Sequence, residues 1–444
     1  MLNKIEIENY KAFNHFKMIL HPKDGLNINL LIGRNGSGKS SFLDALTEIG
    51  YNNLSSKSDT QTDNTRFNYI ITKDDQTISK DNKEKALYDK IVRLYTGYTD
   101  RAFYAHDNCI SGNAKTFKKA LWIYLAGKFY KKDPNWNKII NLIFKNDFNS
   151  KEANIFEVKA LWLDSLNIKT KKTTEDDEED KVDDFIYRYF SREPDIIKIF
   201  HKQEQDYTRN FWQSTNSIIL SNGACEMPYD LFEEIFYAED KYQDFGFLYT
   251  LNNQDTTFED QFLSDGEYGF LARYALLYLI SKTNEKFLIL LDEPETHFNE
   301  HWKRYFLKLV CDVLQKKNDD VFIATHSAML ITDVKTNELH RFENEEDEIF
   351  SVDFPFNTYG ANIIDIGSIL FKMEGNIGER AKDEIEQALI SKAPNAINKI
   401  RELLNVVGPG EYRWRLRAKL QELSTHKKTD IITCPLIKRR HRHG

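Results

Sequence analysis

The stretch Gly33-Arg34-Asn35-Gly36-Ser37-Gly38-Lys39-Ser40 decides how this chain is read. It has the spacing G-x-x-x-x-G-K-[ST], between an apolar run of strand length at 26–32 and a helical pattern running from Lys39 to about Ile49. A strand that feeds a glycine-rich loop opening a helix is a phosphate cradle. Glycine lets backbone N–H groups curl inward, and the helix start adds unpaired donors and a positive dipole end. On this reading Gly33, Arg34, Asn35, Gly36, Ser37, Gly38, Lys39, Ser40 and Ser41 surround the phosphates of ATP. Lys39 supplies a point charge to the β- and γ-phosphates, and the Ser40 hydroxyl is offered to Mg²⁺. The competing reading, a glycine-rich turn with a chance lysine, does not account for the flanking strand and helix.

Working outward, residues 287–291 and 321–324 are strand-length runs apolar on both faces, as buried parallel strands require, with a helix expected at 301–315 between them. The first run delivers Asp292 and Glu293 at its C-terminal end, where ligands bind in parallel α/β sheets. Asp292 is suited to hold Mg²⁺ and Glu293 to orient and deprotonate a water. Leu263-Ser264-Asp265-Gly266-Glu267 precedes a helical stretch at 270–280. A serine hydroxyl and a glycine N–H at a helix start make a second anion site, and equally an ordinary N-cap with a polar turn.

The remaining texture sets the organisation. Residues 2–20 alternate apolar and polar, which predicts two strands joined by a turn near 9–13; strands and loops are expected at 51–85 and a strand at 90–95. Four segments follow: an N-terminal lobe with the glycine-rich loop at 1–102, a helical insertion at 103–250, a second lobe at 251–360, and a helical region with a basic tail at 361–444. The insertion is rich in aromatics at mostly helical spacing (Phe117, Trp122, Tyr124, Phe129, Trp136, Phe144, Trp162, Phe185, Tyr189, Phe200, Trp212) and holds an acidic run at 175–184, read as a solvated loop. Helices at 379–423 are expected to break at Gly408-Pro409-Gly410.

Composition narrows the classes. The net charge of −8 gives no global attraction to nucleic acid, and no window is apolar enough to span a membrane. Cys109, Cys225, Cys311 and Cys434 are scattered without zinc spacing, which with the absent leader pattern predicts a cytoplasmic protein with reduced thiols. The 118 residues after His326 contain no D-x-D pair, no HNH pattern is present, and His441-Arg442-His443 is too short for a site, so a nuclease activity of the chain itself is not expected.

Taken together, the motifs resemble ABC ATPases. Ser264 precedes Asp292 by 28 positions, and Asp292 precedes His326, in Ala-Thr-His-Ser, by 34. The resemblance implies an α/β P-loop ATPase fold with a mixed sheet. It implies a head-to-tail homodimer in which Ser264, Gly266 and Glu267 close over the γ-phosphate held by the other copy, and it implies that His326 acts with Glu293 as the switch histidine. Asp265 departs from the family glycine, and Gln76 is the candidate for the Q-loop glutamine. The run from Asp292 to Asn299 resembles the DEPExHLHP run of ATPases related to RecF, SbcC and the overcoming-lysogenization-defect proteins, although Asn299 stands near the relatives' His-Pro. Residues 5–13 are similar to the N-terminal strand and turn of that group, in which Lys11 would reach phosphate, against the plainer reading of an exposed surface lysine. Leu94-Tyr-Thr-Gly-Tyr-Thr-Asp-Arg101, Thr358-Tyr-Gly-Ala-Asn362 and Gly408-Pro-Gly-Glu-Tyr-Arg413 resemble the PtuA-type ATPases of Septu and retron-associated antiphage defence. This resemblance implies an HNH nuclease partner and, in a retron setting, a reverse transcriptase with its nucleic acid. A DNA-repair ATPase of the RecF or SbcC type is the alternative. A transporter subunit is disfavoured by the 225 positions between Lys39 and Ser264.

Overall fold

The computed structural model describes residues 2–22, 25–55, 67–73, 76–80, 87–95, 109–112, 114–127, 129–145, 147–149, 156–165, 197–199, 217–221, 242–251, 256–315, 318–346, 348–352, 354–371, 377–391, 393 and 395–430. Two compact units divide at residues 371 and 372.

In the first unit, β1 (Leu2–Tyr10) and β2 (Phe13–Ile19) form an antiparallel hairpin, and every second side chain of Ile5, Ile7, Phe16 and Met18 is buried. The hairpin turn has left-handed backbone at Asn9 (φ 60°) and Lys11 (φ 52°). The third strand, β3 (Asn27–Ile32), leads through residues 33–38 into α1 (Lys39–Ser55). Then come β4 (Asn68–Lys73) and β5 (Gln76–Ser79), which complete an antiparallel sheet of order β2-β1-β4-β5. Next are β6 (Lys90–Tyr95), β7 (Cys109–Gly112), α2 (Ala114–Ala126), α3 (Phe129–Lys132) and α4 (Trp136–Phe144). They are followed by β8 (Phe156–Ser165), β9 (Ile197–Ile199), β10 (Ser217–Ser221), β11 (Tyr242–Leu251) and β12 (Phe258–Glu259). The first unit ends with α5 (Asp265–Ser281), β13 (Phe287–Asp292), α6 (Glu300–Leu314), β14 (Asp320–Ala324), α7 (Ala328–Ile331), β15 (Leu339–Glu345), β16 (Glu348–Val352) and α8 (Ile363–Phe371).

A seven-stranded sheet of order β16-β15-β3-β14-β13-β6-β7 organises this unit; β16 alone runs antiparallel to its neighbour, so the sheet is mixed. Both faces are covered. Leu288 and Leu290 of β13 join the core beneath α1 and the antiparallel sheet, while Ile289 and Leu291 join the core formed with α2, α4, α5 and α6. This two-sided burial is what the apolar runs at 287–291 and 321–324 require.

The insertion differs from expectation. Residues 114–126, 129–132 and 136–144 are helical, but β8, β10, β9, β11 and β12 make a five-stranded antiparallel sheet, so the helical reading of 103–250 is corrected for its second half. Phe156 and Val158 on β8, and Phe247 and Tyr249 on β11, are buried with a period of two, a signal masked in the sequence by the density of aromatics. Trp162 accordingly lies on a strand; Phe185, Tyr189, Phe200, Trp212 and the acidic run at 175–184 lie outside the described residues. The segment boundaries shift too. The main sheet continues through β7 at Gly112, past the expected edge at 102, and α8 belongs with the first unit, past the expected boundary at 361.

The insertion helices are tied to α5 and α6. The hydroxyls of Tyr124 and Tyr274 donate to Asp133 Oδ2 at 2.8 and 2.6 Å, and Trp302 Nε1–H donates to the Leu142 carbonyl at 3.1 Å. Burial, with Asp133 next, pushes the Tyr274 phenol well above its ordinary range.

In the second unit, α9 (Glu379–Ile390), α10 (Ala396–Val406) and α11 (Glu411–Asp430) pack around Ile385, Ala388, Ile400, Leu403 and Leu416. The break at 408–410 is where glycine and proline place it, and Gly410 has φ 152°.

One stability prediction arises from β15. His340 is buried, and its Nε2–H donates to Asn29 Oδ1 at 3.1 Å. Burial, then His21, push its pKa down to about 4. An unfolded chain titrates this imidazole near 6.5, so between pH 6.5 and 4 the unfolded state takes up a proton that the folded state refuses. Stability from this group is complete above pH 6.5 and falls by about 1.4 kcal/mol per pH unit below it. Denaturant melts from pH 7.5 to 4.5 are expected to show a shallower acid slope for His340→Gln than for wild type; parallel slopes contradict the assignment.

Candidate nucleotide site

The loop at 33–38 has the shape that phosphate requires. Gly33, Gly36 and Gly38 have φ of 153°, 78° and 94°. A Cβ at Gly33 would stand 2.5 Å from the Phe342 carbonyl oxygen, and one at Gly38 would stand 2.3 Å from Ile349. Arg34, Asn35 and Gly36 are exposed at the tip, Ser37 and Lys39 are buried, and Ser40 and Ser41 are half-buried on the first turn of α1. The Ser37 hydroxyl oxygen is buried without a hydrogen-bond partner among the described residues. Beneath the loop, Phe13, Phe16, Phe42, Phe322 and Phe342 form an aromatic cluster that supports the first turn of α1.

Lys39 Nζ donates to the carbonyls of Gly33 at 2.9 Å and Arg34 at 3.1 Å, so its ammonium spans the loop. Burial lowers its pKa to about 8, against the opposing pull of Glu293 and Asp292.

Sheet order brings the other residues to the same end. The strands β3, β14 and β13 are adjacent and parallel, so the loop at 33–38, the Thr325-His326 turn and the Asp292-Glu293 pair all follow neighbouring C-terminal strand ends. The Ser40 hydroxyl donates to Asp292 Oδ1 at 3.2 Å, across 252 positions of sequence. A hydroxyl and one buried carboxylate oxygen at this spacing fit the protein's share of a Mg²⁺ shell completed by phosphates and water. Among the described residues no group of three or more His, Cys, Asp or Glu could hold a metal ion by itself.

Glu293 has left-handed backbone (φ 49°), and its N–H donates to the Ala324 carbonyl at 2.8 Å. Its Oε1 lies 3.5 Å from His326 Nε2. A non-glycine residue in this conformation is costly, by about 1–3 kcal/mol, and such strain collects at functional sites. His326 is held neutral, its pKa lowered to about 4 by burial first and Lys39 second. At neutral pH its ring therefore donates from one nitrogen and accepts at the other.

Three residues of this site carried no assignment in the sequence reading. Arg93, on β6, is fully buried, and its Nη2 lies 3.0 Å from Asp292 Oδ2 and 3.2 Å from Asp44 Oδ1. Asp44, on α1, also receives Lys11 Nζ at 2.9 Å. Lys11 is thus an exposed lysine, as the plainer reading has it, paired with a carboxylate of α1. Glu295 is buried, accepts from the Thr325 hydroxyl beside His326, and has its pKa raised chiefly by burial. A charged residue inside the apolar strand 90–95 was the available signal for Arg93; nothing local marks Asp44.

Ser264, Gly266 and Glu267 come together at the start of α5. Ser264 is the N-cap: its hydroxyl accepts from the Glu267 N–H at 3.3 Å and donates to Glu267 Oε2 at 2.8 Å, and its own N–H donates to that oxygen at 2.7 Å. Gly266 is buried, and a Cβ there would stand 2.6 Å from the His297 carbonyl oxygen. The glycine thus lets α5 seat on the loop after β13. Arg273 on the same helix lies 5.0 Å over the Phe298 ring. Asn299 serves as N-cap of α6, accepting from Trp302 N–H at 2.8 Å, which explains its place in the run after Asp292.

Gln76 pairs with Lys73, which pairs with Leu2, whereas the Lys11 turn is at the opposite end of β1. Gln76 therefore sits at the end of the antiparallel sheet away from α1's contact with Lys11. Residues 96–101 and the tail at 431–444 lie outside the described residues.

Comparison with known proteins follows the same lines. Residues 28–333 match the family described as "AAA domain, putative AbiEii toxin, Type IV TA system". Protein ea59 of Escherichia phage lambda is 28% identical over 90 residues, 20% of this chain and 17% of that relative, so the chain spans under a fifth of its length. Among solved structures, an SmcHead bound to the C-winged helix domain of ScpA is 14% identical with a TM-score of 0.33, covering 80% of this chain and 98% of that one. The SMC head domain from Thermotoga maritima is 10% identical with a TM-score of 0.34, covering 80% and 99%. Similarity at this level says nothing about assembly or activity.

Proposed function

This chain belongs to the AAA-domain family of that description, a family of ATPases, and from that premise we propose that it binds and hydrolyses ATP-Mg²⁺ between two head-to-tail copies and thereby regulates a partner nuclease. The observation that carries the reading is the convergence of Ser40 on Asp292 at 3.2 Å and of Glu293 on His326 at 3.5 Å, at the ends of strands adjacent to the glycine-rich loop.

Each residue has a part. Backbone N–H groups of 33–41 and Lys39 bind the phosphates. Ser40 and Asp292 would hold Mg²⁺, which when bound would neutralise charge on the phosphates. Glu293 accepts a proton from the attacking water. Neutral His326 donates from Nε2 toward Glu293 or the γ-phosphate. The start of α5, where Ser264 is exposed, Glu267 half-buried and Gly266 buried, faces the γ-phosphate held by the second copy.

The partner is an HNH nuclease of the Septu type, within an antiphage system or, beside a reverse transcriptase and its nucleic acid, a retron system; any DNA or RNA is met through that complex. No helix among the described residues is long and apolar enough to cross a membrane, and no membrane partner enters this reading. Affinity capture with the HNH protein encoded beside it is expected to recover a stable complex. Failure to associate with any neighbour-encoded protein, together with salt-sensitive duplex binding by the chain alone, would favour a DNA-repair ATPase instead.

A further inference from the structure

The buried arginine on β6 has a part that the motifs do not assign. Strand alternation explains its direction: Val92 and Leu94 face the core with α2 and α5, whereas Ile91, two positions from Arg93, faces the core beneath α1. Arg93 therefore points toward α1, where Asp44 stands one helical turn beyond Ser40. On the adjacent strand, Arg93 is in register with Leu290, two residues before Asp292, so the guanidinium reaches the Asp292 carboxylate along the same sheet face.

Its two carboxylate partners come from the two elements that make the metal site, α1 and β13. The arginine occupies Asp292 Oδ2, while Ser40 occupies Oδ1. A buried, unpaired arginine is costly, and its guanidinium offers a planar set of donors that fixes the orientation of the carboxylate it meets. Asp44 is held from its other oxygen by Lys11, whose turn closes the N-terminal hairpin.

We propose that Arg93 is the positioning residue of the metal site: by holding one oxygen of Asp292 against Asp44, it sets the orientation in which the other, beside Ser40, meets the cation. The inference rests on the ATP-Mg²⁺ reading of the site. It does not require Arg93 to touch nucleotide. Outer partners of metal ligands set ligand orientation, and their loss commonly costs about 10–100-fold in metal affinity.

The test is Mn²⁺ titrated into the full-length, ADP-loaded protein and followed by electron paramagnetic resonance. Arg93→Lys keeps the charge and loses the planar fork; it is expected to bind ADP without metal as wild type does and to bind Mn²⁺ about 10–100-fold more weakly. Asp44→Asn, at the rim of the network, is the second variant: it removes the anchor on the far side of Arg93 and is expected to weaken Mn²⁺ in the same direction. If Arg93→Lys does not fold, Asp44→Asn decides. Wild-type Mn²⁺ affinity in a folded Arg93→Lys, or in Asp44→Asn where the first variant is lost, overturns the inference and leaves the ATPase reading standing. A wild-type protein that binds neither ADP nor Mn²⁺ overturns both.

Discussion

Glu293→Gln is expected to keep ATP bound and to slow its hydrolysis by about 10²–10⁴, the usual share of a general base. The substitution keeps the size of the side chain and its place, since the left-handed backbone at Glu293 and the N–H bond to Ala324 do not depend on the carboxylate. It removes the only feature a base needs, an oxygen that can take a proton. Lys39, Ser40 and Asp292 are untouched, so ATP affinity should remain within a few-fold of wild type. Slower turnover also lengthens the life of any state that needs intact ATP. Light scattering in ATP should therefore show a persistent dimer of Glu293→Gln and a transient one of wild type. Turnover equal to wild type would remove Glu293 from the role of base, and a monomer under saturating ATP would count against the sandwich.

Lys39→Ala is expected to abolish measurable nucleotide binding. The ammonium is held over the loop by the Gly33 and Arg34 carbonyls, so it is placed before phosphate arrives. Burial lowers its pKa to about 8, which leaves it mostly charged at neutral pH and reverses readily when a phosphate supplies a counter-charge. At about 1.5–3 kcal/mol for each hydrogen bond to a charged group, two phosphate bonds correspond to about 10²–10⁴ in affinity. Calorimetric titration with ATP-Mg²⁺ reads this directly. Binding within ten-fold of wild type would contradict the assignment of residues 33–41.

The motifs of this site were legible in the sequence because each is a local pattern with a local cause. A glycine-rich loop between strand and helix, an apolar run ending in Asp292-Glu293, and a serine with Glu267 three positions later all announce their conformation within a few residues. The strands at 287–291 and 321–324 were legible because burial on both faces leaves an unbroken apolar run. The antiparallel sheet of the insertion was not legible, because its period of two sits inside a stretch where aromatics recur at almost every spacing.

What the amino-acid sequence determined by itself is the order of the chemistry: a phosphate loop, a capped helix start, a carboxylate pair and a histidine, each at the end of its own element. What only the tertiary structure decided is which of them meet. Ser40 reaches Asp292 across 252 positions and Arg93 reaches it across 199. No local pattern carries such a pairing, because it is fixed by the order of parallel strands in the sheet and by the face on which each side chain emerges. The same cause turned Lys11 toward Asp44 and put Gln76 at the far end of its sheet. Strand order is the sum of many small packing gains spread over the whole core, and it becomes visible only when that core is assembled.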